Sequence, residues 1–310
     1  MNAEKKYFLY SVHGFMETKF SKGKNDNVIY TTSRCSNRCI MCCQPPKVED
    51  DSQELFALNQ RLIEQADLDT DYICITGGEP TLIGAKIFSY IDLIRAKLPE
   101  CEIHLLSNGR KFAHASYLQK FSHVSKDNLC IGIPLHSDNP IDHDSIAGSQ
   151  GAFYETLKGL HNLGILGYEV ELRVIILKQN YQRLPNIAEF ITLNLPFVAQ
   201  VSFMGLEITG YAYDNLKDIW IEPGECTACL SKAISILEKS KISPRIFNLP
   251  LCTLPISLWV YACKSISDWK RTFLPQCSKC TMKDECCGLF ATSKFYSKSI
   301  QTLKVSLKTK

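Results

Sequence analysis

Apolar and polar positions repeat one pattern along the first two thirds of the chain. An extended run at 27–32 precedes a loop and then a helical stripe. In that stripe Leu55, Leu58, Leu62, Ile63 and Ala66 share one face behind the start signal Asp50-Asp51-Ser52. Strand-like 72–76 leads into helical 85–98, 102–106 into 113–121, and 129–135 into 151–163, which opens at a Ser149-Gln150-Gly151 turn. A buried-looking strand at 170–177 leads into 186–193, and 200–206 closes the series. About six β/α units in succession predict an α/β fold of parallel strands with right-handed crossovers. That number suits a (β/α)6 partial TIM barrel better than a closed eight-fold one.

Past Gly224 a helix is expected over 226–239, after which the alternation is expected to stop. From Arg245 onward come scattered prolines and the cysteines Cys252, Cys263, Cys277, Cys280, Cys286 and Cys287. The expected division is an N-terminal extension (1–26, with an extended patch at 7–12), a core (27–220), a small cysteine-rich, metal-stapled domain (221–297) and a basic tail (298–310). In parallel β/α folds, active residues gather beyond the carboxyl ends of the strands. Four loops meet that condition: the cysteine stretch 33–43, Gly77-Gly78-Glu79-Pro80, Ser107-Asn108-Gly109 and His136-Ser137-Asp138. They are expected to converge on one rim.

Composition sharpens the picture at one point only. The 310 residues are 45% hydrophobic and 22% charged, with a net charge of +3, ordinary values for a globular protein. No basic stripe with interleaved aromatics suggests a nucleic-acid groove. The longest apolar stretch, 249–263, contains Pro250 and Pro255 and is too short to span a bilayer. The outlier is cysteine, with 15 residues. A secreted disulfide scaffold is disfavoured, because residues 1–10 lack the apolar core of a signal peptide and the number is odd. A cytoplasmic, metal-binding role fits better.

Cys35, Cys39 and Cys42 have the spacing C-x3-C-x2-C on a short loop. Three thiolates can hold three irons of a 4Fe–4S cube and leave the fourth open. An electron-transfer cluster or a structural zinc site wants a fourth protein ligand. An open iron would chelate an amino acid's amine and carboxylate. A Gly-Gly turn exposes backbone groups that could hydrogen-bond that amine, and Ser107-Asn108 offers partners suited to a sugar.

C-x3-C-x2-C after the first strand and Gly-Gly-Glu-Pro after the second resemble the radical S-adenosylmethionine (SAM) superfamily, over roughly residues 27–210. The resemblance implies that Cys35, Cys39 and Cys42 hold the 4Fe–4S cluster and that SAM chelates the open iron. Gly77, Gly78 and Glu79, with Pro80 fixing the turn, would receive the SAM amine, and Ser107 and Asn108 would contact the ribose. Reductive cleavage would yield a 5′-deoxyadenosyl radical that removes a substrate hydrogen, with electrons from a reductant such as flavodoxin or ferredoxin. The family usually has an aromatic residue before the third cysteine. Here it is Met41, whose backbone would still be placed to contact adenine.

Cys277-x2-Cys280-x5-Cys286 resembles the core of the SPASM and twitch extensions, with Phe290 where the full pattern has another cysteine. With Cys252 upstream, the set suffices for one auxiliary 4Fe–4S cluster; a structural zinc is the alternative. The stretches 42–47, 203–207, 248–252, 265–270 and 286–290 are similar to the C-type radical SAM maturases of the His-Xaa-Ser system. That similarity implies a ribosomally made His-Xaa-Ser repeat peptide as substrate and a sister maturase as partner. Radical SAM chemistry on a small metabolite or RNA, or a non-catalytic metal-binding adaptor, are the alternatives.

Blander roles compete for several residues. Cys43 and Cys287 neighbour Cys42 and Cys286, and spacing favours Cys42 and Cys286 as ligands. Cys226 and Cys229, one helical turn apart, are expected to be packing residues, as are Cys74, Cys101 and Cys130. No role is assigned to Cys263. Arg173, in an apolar strand, needs a partner: the SAM carboxylate or an internal ion pair. His136, Ser137 and His143 lie on or near the expected rim, but a loop histidine is more often solvated than catalytic, and none of the three is assigned a catalytic role.

Overall fold

The structure is a computed structural model that describes residues 20–24, 27–293 and 296–304. The extended patch expected at 7–12 and the end of the basic tail lie outside the described residues. Seven strands form one sheet in the order β1-β2-β3-β4-β5-β6-β7: Val28–Tyr30, Tyr72–Thr76, Glu102–Leu106, Leu129–Pro134, Glu169–Ile175, Gln200–Met204 and Ser243–Phe247. The ladders β1–β2, β2–β3, β3–β4, β5–β6 and β6–β7 are all parallel. The intervening helices are α1 (Ser52–Glu64), α2 (Lys86–Lys97), α3 (Ala115–Phe121), α4 (Pro140–Ala147), α5 (Ala152–Leu166), α6 (Leu184–Asn194) and α7 (Pro223–Lys239). A strictly sequential order has no reversal point, as in barrel-type sheets and unlike doubly wound ones. The partial-barrel expectation agrees with this order. Ile73 and Ile75, Ile103 and Leu105, and Ile131 and Ile133 stand two residues apart on β2, β3 and β4, so they share one face of the sheet, and that face is fully buried.

The alternation runs one unit further than expected. Helix α7 leads into β7, which pairs with β6 in register Val201↔Pro244 and Phe203↔Ile246. Proline cannot donate to a ladder, but β7 ends the strand order, and an edge strand tolerates it. Helix α4 was also not anticipated. Its signal was local: Asn139 caps it by accepting from Asp142 N at 3.0 Å, and Pro140 opens it.

The chain divides into two compact units. In the first (residues up to 36, 46–133 and 155–170), α1 turns Asn59 inward, and its amide donates to Tyr30 O at 2.9 Å and Tyr90 Oη at 3.0 Å. Leu58, placed on the apolar face by the sequence pattern, is only half-buried. Phe121 packs edge-on against Phe112, with ring centroids 4.8 Å apart, and lies 5.0 Å from Tyr168. The second unit (37–45, 134–154 and 171 onward) buries Leu172, Val174, Val201 and Phe203 of its strands with Leu230, Ala233 and Ile234 of α7. It also carries a two-stranded antiparallel ribbon, β8 (Arg271–Thr272) with β9 (Leu289–Phe290).

The described part of the tail is docked on this second unit. Thr281 N donates to Leu303 O at 3.0 Å, Thr302 Oγ1 to Gln276 O at 2.8 Å, and Ser297 Oγ to Glu222 at 2.6 Å. Among the described residues, no helix is long and apolar enough to cross a membrane.

Candidate metal centre and cofactor loops

In the first unit, the chain leaves β1 and runs directly against the turn after β2. Thr31 N donates to Thr76 O at 2.9 Å, Gly78 N to Thr32 O at 2.7 Å and Glu79 N to Arg34 O at 2.8 Å. Such close backbone contact leaves no room for side chains. A Cβ on Gly77 would lie 2.7 Å from Thr32 O, and one on Gly78 would collide with the carbonyl of Arg34. The Gly-Gly pair is therefore needed to seat the segment that carries Cys35. That segment is pinned again by Asp51, whose carboxylate accepts from Ser33 N at 2.9 Å, from Thr32 Oγ1 at 3.0 Å and from Ser33 Oγ.

Glu79 is 0% exposed, and its carboxylate accepts four hydrogen bonds. They come from Thr81 N at 3.0 Å, Thr81 Oγ1 at 2.6 Å, Ser107 Oγ at 2.8 Å and Asn108 N at 2.6 Å. The side chain thus ties the loop after β2 to the loop after β3. Asn108 Nδ2 then donates to Ser36 Oγ at 2.8 Å, and Arg110 Nη1 to Ser36 O at 3.0 Å, closing the circuit on the cysteine stretch. Pro80, buried, opens the short turn capped by Glu79. Cys35, Gly77, Gly78, Glu79, Pro80, Ser107 and Asn108 are therefore assembled in one hydrogen-bonded set of loops at the carboxyl ends of β1, β2 and β3.

In the second unit, residues 38–43 are gripped from two sides. Arg38 N and Ile40 N donate to Ala147 O and Ile146 O at the end of α4, both at 3.0 Å. Tyr211 N donates to Cys42 O at 2.9 Å and Asn215 Nδ2 to Ile40 O at 2.8 Å. Gly210, at φ 53, allows this approach: a Cβ there would stand 2.7 Å from Cys42 O and 2.6 Å from Pro45 Cδ. Gly148 does the same on the other side, where a Cβ would collide with the carbonyl of Arg38; sequence reasoning missed Gly148, Gly210 and Asn215, because what they support lies far away in the chain. Met41 is 6% exposed and packs with Ile146, Leu177, Ala212 and Ile219. The residue replacing the expected aromatic is a core side chain.

Arg173 pairs with Glu171 at 3.7 Å and donates to Met204 Sδ at 3.3 Å. The internal ion pair, one of its two expected roles, is present, and the guanidinium stays part-exposed at 25%. His136 is not solvated as expected. It is 2% exposed with both ring nitrogens buried and without a hydrogen-bond partner, and burial, with His143 beside it, holds its pKa well below 6.5.

Cys252, Cys277, Cys280 and Cys286 all line one recess, about 360 Å³ with the open solvent at its mouth included. The structure separates the adjacent pair: Cys286 faces this cavity, whereas Cys287 packs with Ile266 and Phe290. The neighbouring Cys287 thiol holds Cys286 down to about 6 and is itself pushed up, while burial raises Cys252. Cys226 is buried on α7, with burial lifting its pKa to about 12, and Cys74 and Cys101 are buried. Cys130, Cys229 and Cys263 are half-buried, and Cys43 is exposed. Among the described residues, no group of three or more His, Cys, Asp or Glu side chains stands close enough to hold a single metal ion.

A sequential parallel sheet with a cysteine loop directly after its first strand defines an α/β protein of the partial-barrel class. The chain belongs to the Radical SAM superfamily, whose sequence model matches residues 29–191. Fe-coproporphyrin III synthase of Methanosarcina barkeri is 27% identical over 184 residues, covering 56% of this chain and 42% of that protein. GTP 3',8-cyclase of Mannheimia succiniciproducens is 24% identical over 176 residues, covering 54% of this chain and 50% of that one. The chain spans about half the length of these relatives or less. Among solved structures, Streptococcus suis SuiB bound to precursor peptide SuiA is similar at TM-score 0.55 and 13% identity, over 79% of this chain and 52% of that one. The anSMEcpe structure with bound AdoMet and the Kp18Cys peptide follows at 0.53 and 16%, over 70% and 62%. At these identities the likeness is one of fold.

Proposed function

We propose that the chain is a radical SAM peptide maturase, with Cys35, Cys39 and Cys42 holding a 4Fe–4S cluster whose open iron binds SAM. The observation that carries this reading is the backbone seating of the cysteine segment on Gly77-Gly78-Glu79. The residues fit the group in polarity. The amide protons of Gly78 and Glu79 are committed to Thr32 O and Arg34 O, so a SAM ammonium would meet the turn's carbonyl oxygens, which are acceptors. When bound, cluster and SAM supply a 5′-deoxyadenosyl radical able to remove an unactivated hydrogen. The chain's residues would hold that chemistry in place: Glu79, with Gly77, Gly78 and Pro80, would fix the amine-binding turn, Ser107 and Asn108 would contact the ribose, and the Met41 backbone would contact adenine. Arg173, part-exposed beside Glu171, would hold the SAM carboxylate.

The cavity lined by Cys252, Cys277, Cys280 and Cys286 supports an auxiliary 4Fe–4S cluster. A ribosomally made peptide of the His-Xaa-Ser repeat type is the proposed substrate, with a sister maturase as partner and a flavodoxin- or ferredoxin-like reductant, in the cytoplasm. The peptide-bound SuiB and anSMEcpe structures support a peptide, not its sequence. A second reading, chemistry on a small molecule, is favoured by the names of the two curated relatives.

Anaerobic reconstitution followed by assay of 5′-deoxyadenosine from SAM and reductant tests the enzyme. Absence of that product with all three cysteines intact would overturn it. Mass change in a co-expressed His-Xaa-Ser peptide, against no change, separates the two substrate readings. A triple Cys35→Ala, Cys39→Ala, Cys42→Ala protein that keeps about four irons supports the auxiliary cluster.

A further inference from the structure

The second unit carries another recess, open to solvent and about 650 Å³ with the solvent in its mouth included, at the carboxyl ends of three strands: Ile176 follows β5, Gly205 and Leu206 follow β6, and Asn248 and Leu249 follow β7. In this class of fold, that is where substrates bind. Its walls connect it to both cysteine regions of the unit. Leu206 also packs, with Cys39 and Ile40, against the cluster around Met41. Pro250, Gly288, Leu289 and Ile300 line this cavity and the one holding Cys252, Cys277, Cys280 and Cys286.

The lining chemistry is one-sided. Leu206, Ile208, Trp220, Leu249, Ile266 and Phe290 give an apolar surface, and no Asp, Glu, Lys, Arg or His is among the described lining residues. A charged group entering would lose its water without gaining a counter-ion. One polar group is held rigidly. Asn248 sits in left-handed backbone at φ 60, with its N–H donating to Ser265 Oγ at 2.9 Å and its Oδ1 accepting from the same hydroxyl at 2.8 Å. With Oδ1 so engaged, the Nδ2 amide of this wall residue is the side chain's remaining hydrogen-bonding group, a donor.

We propose that this cavity is a specificity pocket for a bulky uncharged side chain, aromatic or branched aliphatic, of a peptide whose adjacent carbonyl accepts from Asn248. The assignment rests on the peptide reading above and narrows it. A substrate residue at the reacting position is then flanked by an apolar anchor, and acidic or basic anchors are rejected. Full burial of such a side chain corresponds to about a 10- to 100-fold gain in affinity over a small or charged one.

The test uses the full chain and needs neither cluster, SAM nor reductant, so its outcome is separate from that of the radical chemistry. N-acetyl-phenylalanine amide, N-acetyl-leucine amide and N-acetyl-aspartate amide are titrated into isoleucine- and leucine-methyl-labelled protein. Saturable shifts of the Ile176, Leu206 and Leu249 methyls are expected with the first two amides, and at least about 10-fold weaker binding with the third. Ser293→Phe, or Ile208→Trp if the first variant does not fold, fills the space and abolishes the shifts. Asn248→Gly, which tolerates the backbone, weakens both apolar amides. Equal binding of the aspartate amide, or no saturable shift with either apolar amide, overturns the pocket. If 5′-deoxyadenosine forms while no amide binds, only the pocket falls.

Discussion

Replacing Glu79 by glutamine exchanges one carboxylate oxygen for an NH2 group, and the structure says what that costs. Two of the four donors to Glu79, Thr81 N and Asn108 N, are backbone amides that cannot turn away, and they bond opposite oxygens. Whichever way the new amide is placed, its NH2 faces an N–H. One buried donor loses its acceptor, at about 1–3 kcal/mol, and the remaining bonds lose the strengthening that a charged acceptor gives. The expected loss is about 2–4 kcal/mol. At a urea slope of roughly 3 kcal/mol/M, the unfolding midpoint falls by about 1 M. Ser107→Ala removes one donor to Glu79 and also takes the acceptor from the buried Gly109 N–H, 3.1 Å away, so it costs a comparable amount, about 2–3 kcal/mol. Urea unfolding of the cluster-free protein, followed by circular dichroism without SAM, reads both. If Glu79 acted only by touching the SAM amine, Glu79→Gln would unfold at the wild-type midpoint, and that result would refute the reasoning.

Further outcomes follow from the same geometry. His136 is held neutral in the folded protein, while in the unfolded chain it binds a proton below about pH 6.5, so its burial costs stability as pH falls through that value. Between pH 7.5 and 5 the loss is about 2 kcal/mol, and His136→Phe should show correspondingly less pH dependence in urea titrations; equal dependence would count against a neutral buried imidazole. Gly210→Ala must place a Cβ 2.7 Å from Cys42 O in left-handed backbone, so it should lower iron per chain after anaerobic reconstitution, and unchanged iron would show that the loop has slack. Cys286→Ala should remove the auxiliary iron while Cys287→Ala keeps it, because only Cys286 faces the cavity; the reverse pattern in iron analysis would reassign the ligand.

The β/α alternation was legible because each strand carries buried apolar residues on its packed face, such as Ile73 and Ile75 or Ile103 and Leu105, and is followed by turn residues. The bounds expected for β2 and β3 are those observed. The seventh strand was not, since Pro244 mimics a loop signal and only its place at the end of the strand order makes it acceptable. The seating of the cysteine segment on Gly77-Gly78 could be anticipated as a glycine turn. Its reason, the carbonyls of Thr32 and Arg34, is a tertiary contact that no local pattern carries. Glu79 is similar. Its spacing marked it as part of the loop, but its four donors come from Thr81, Ser107 and Asn108, and only folding brings the last two to it. Asn215 and Gly210 escaped notice for the same reason. The neighbours Cys286 and Cys287 could not be told apart by spacing, and burial separates them.

The central claim is that Cys35, Cys39 and Cys42 present an open iron to SAM. Electron paramagnetic resonance of the anaerobically reconstituted, dithionite-reduced chain, recorded with and without SAM, tests it most directly. The account predicts a reduced cluster signal whose g-values move when SAM is added, and loss of that SAM-sensitive signal in the triple Cys35→Ala, Cys39→Ala, Cys42→Ala protein. A wild-type spectrum that SAM leaves unchanged, or a SAM-sensitive signal that survives in the triple variant, would contradict it.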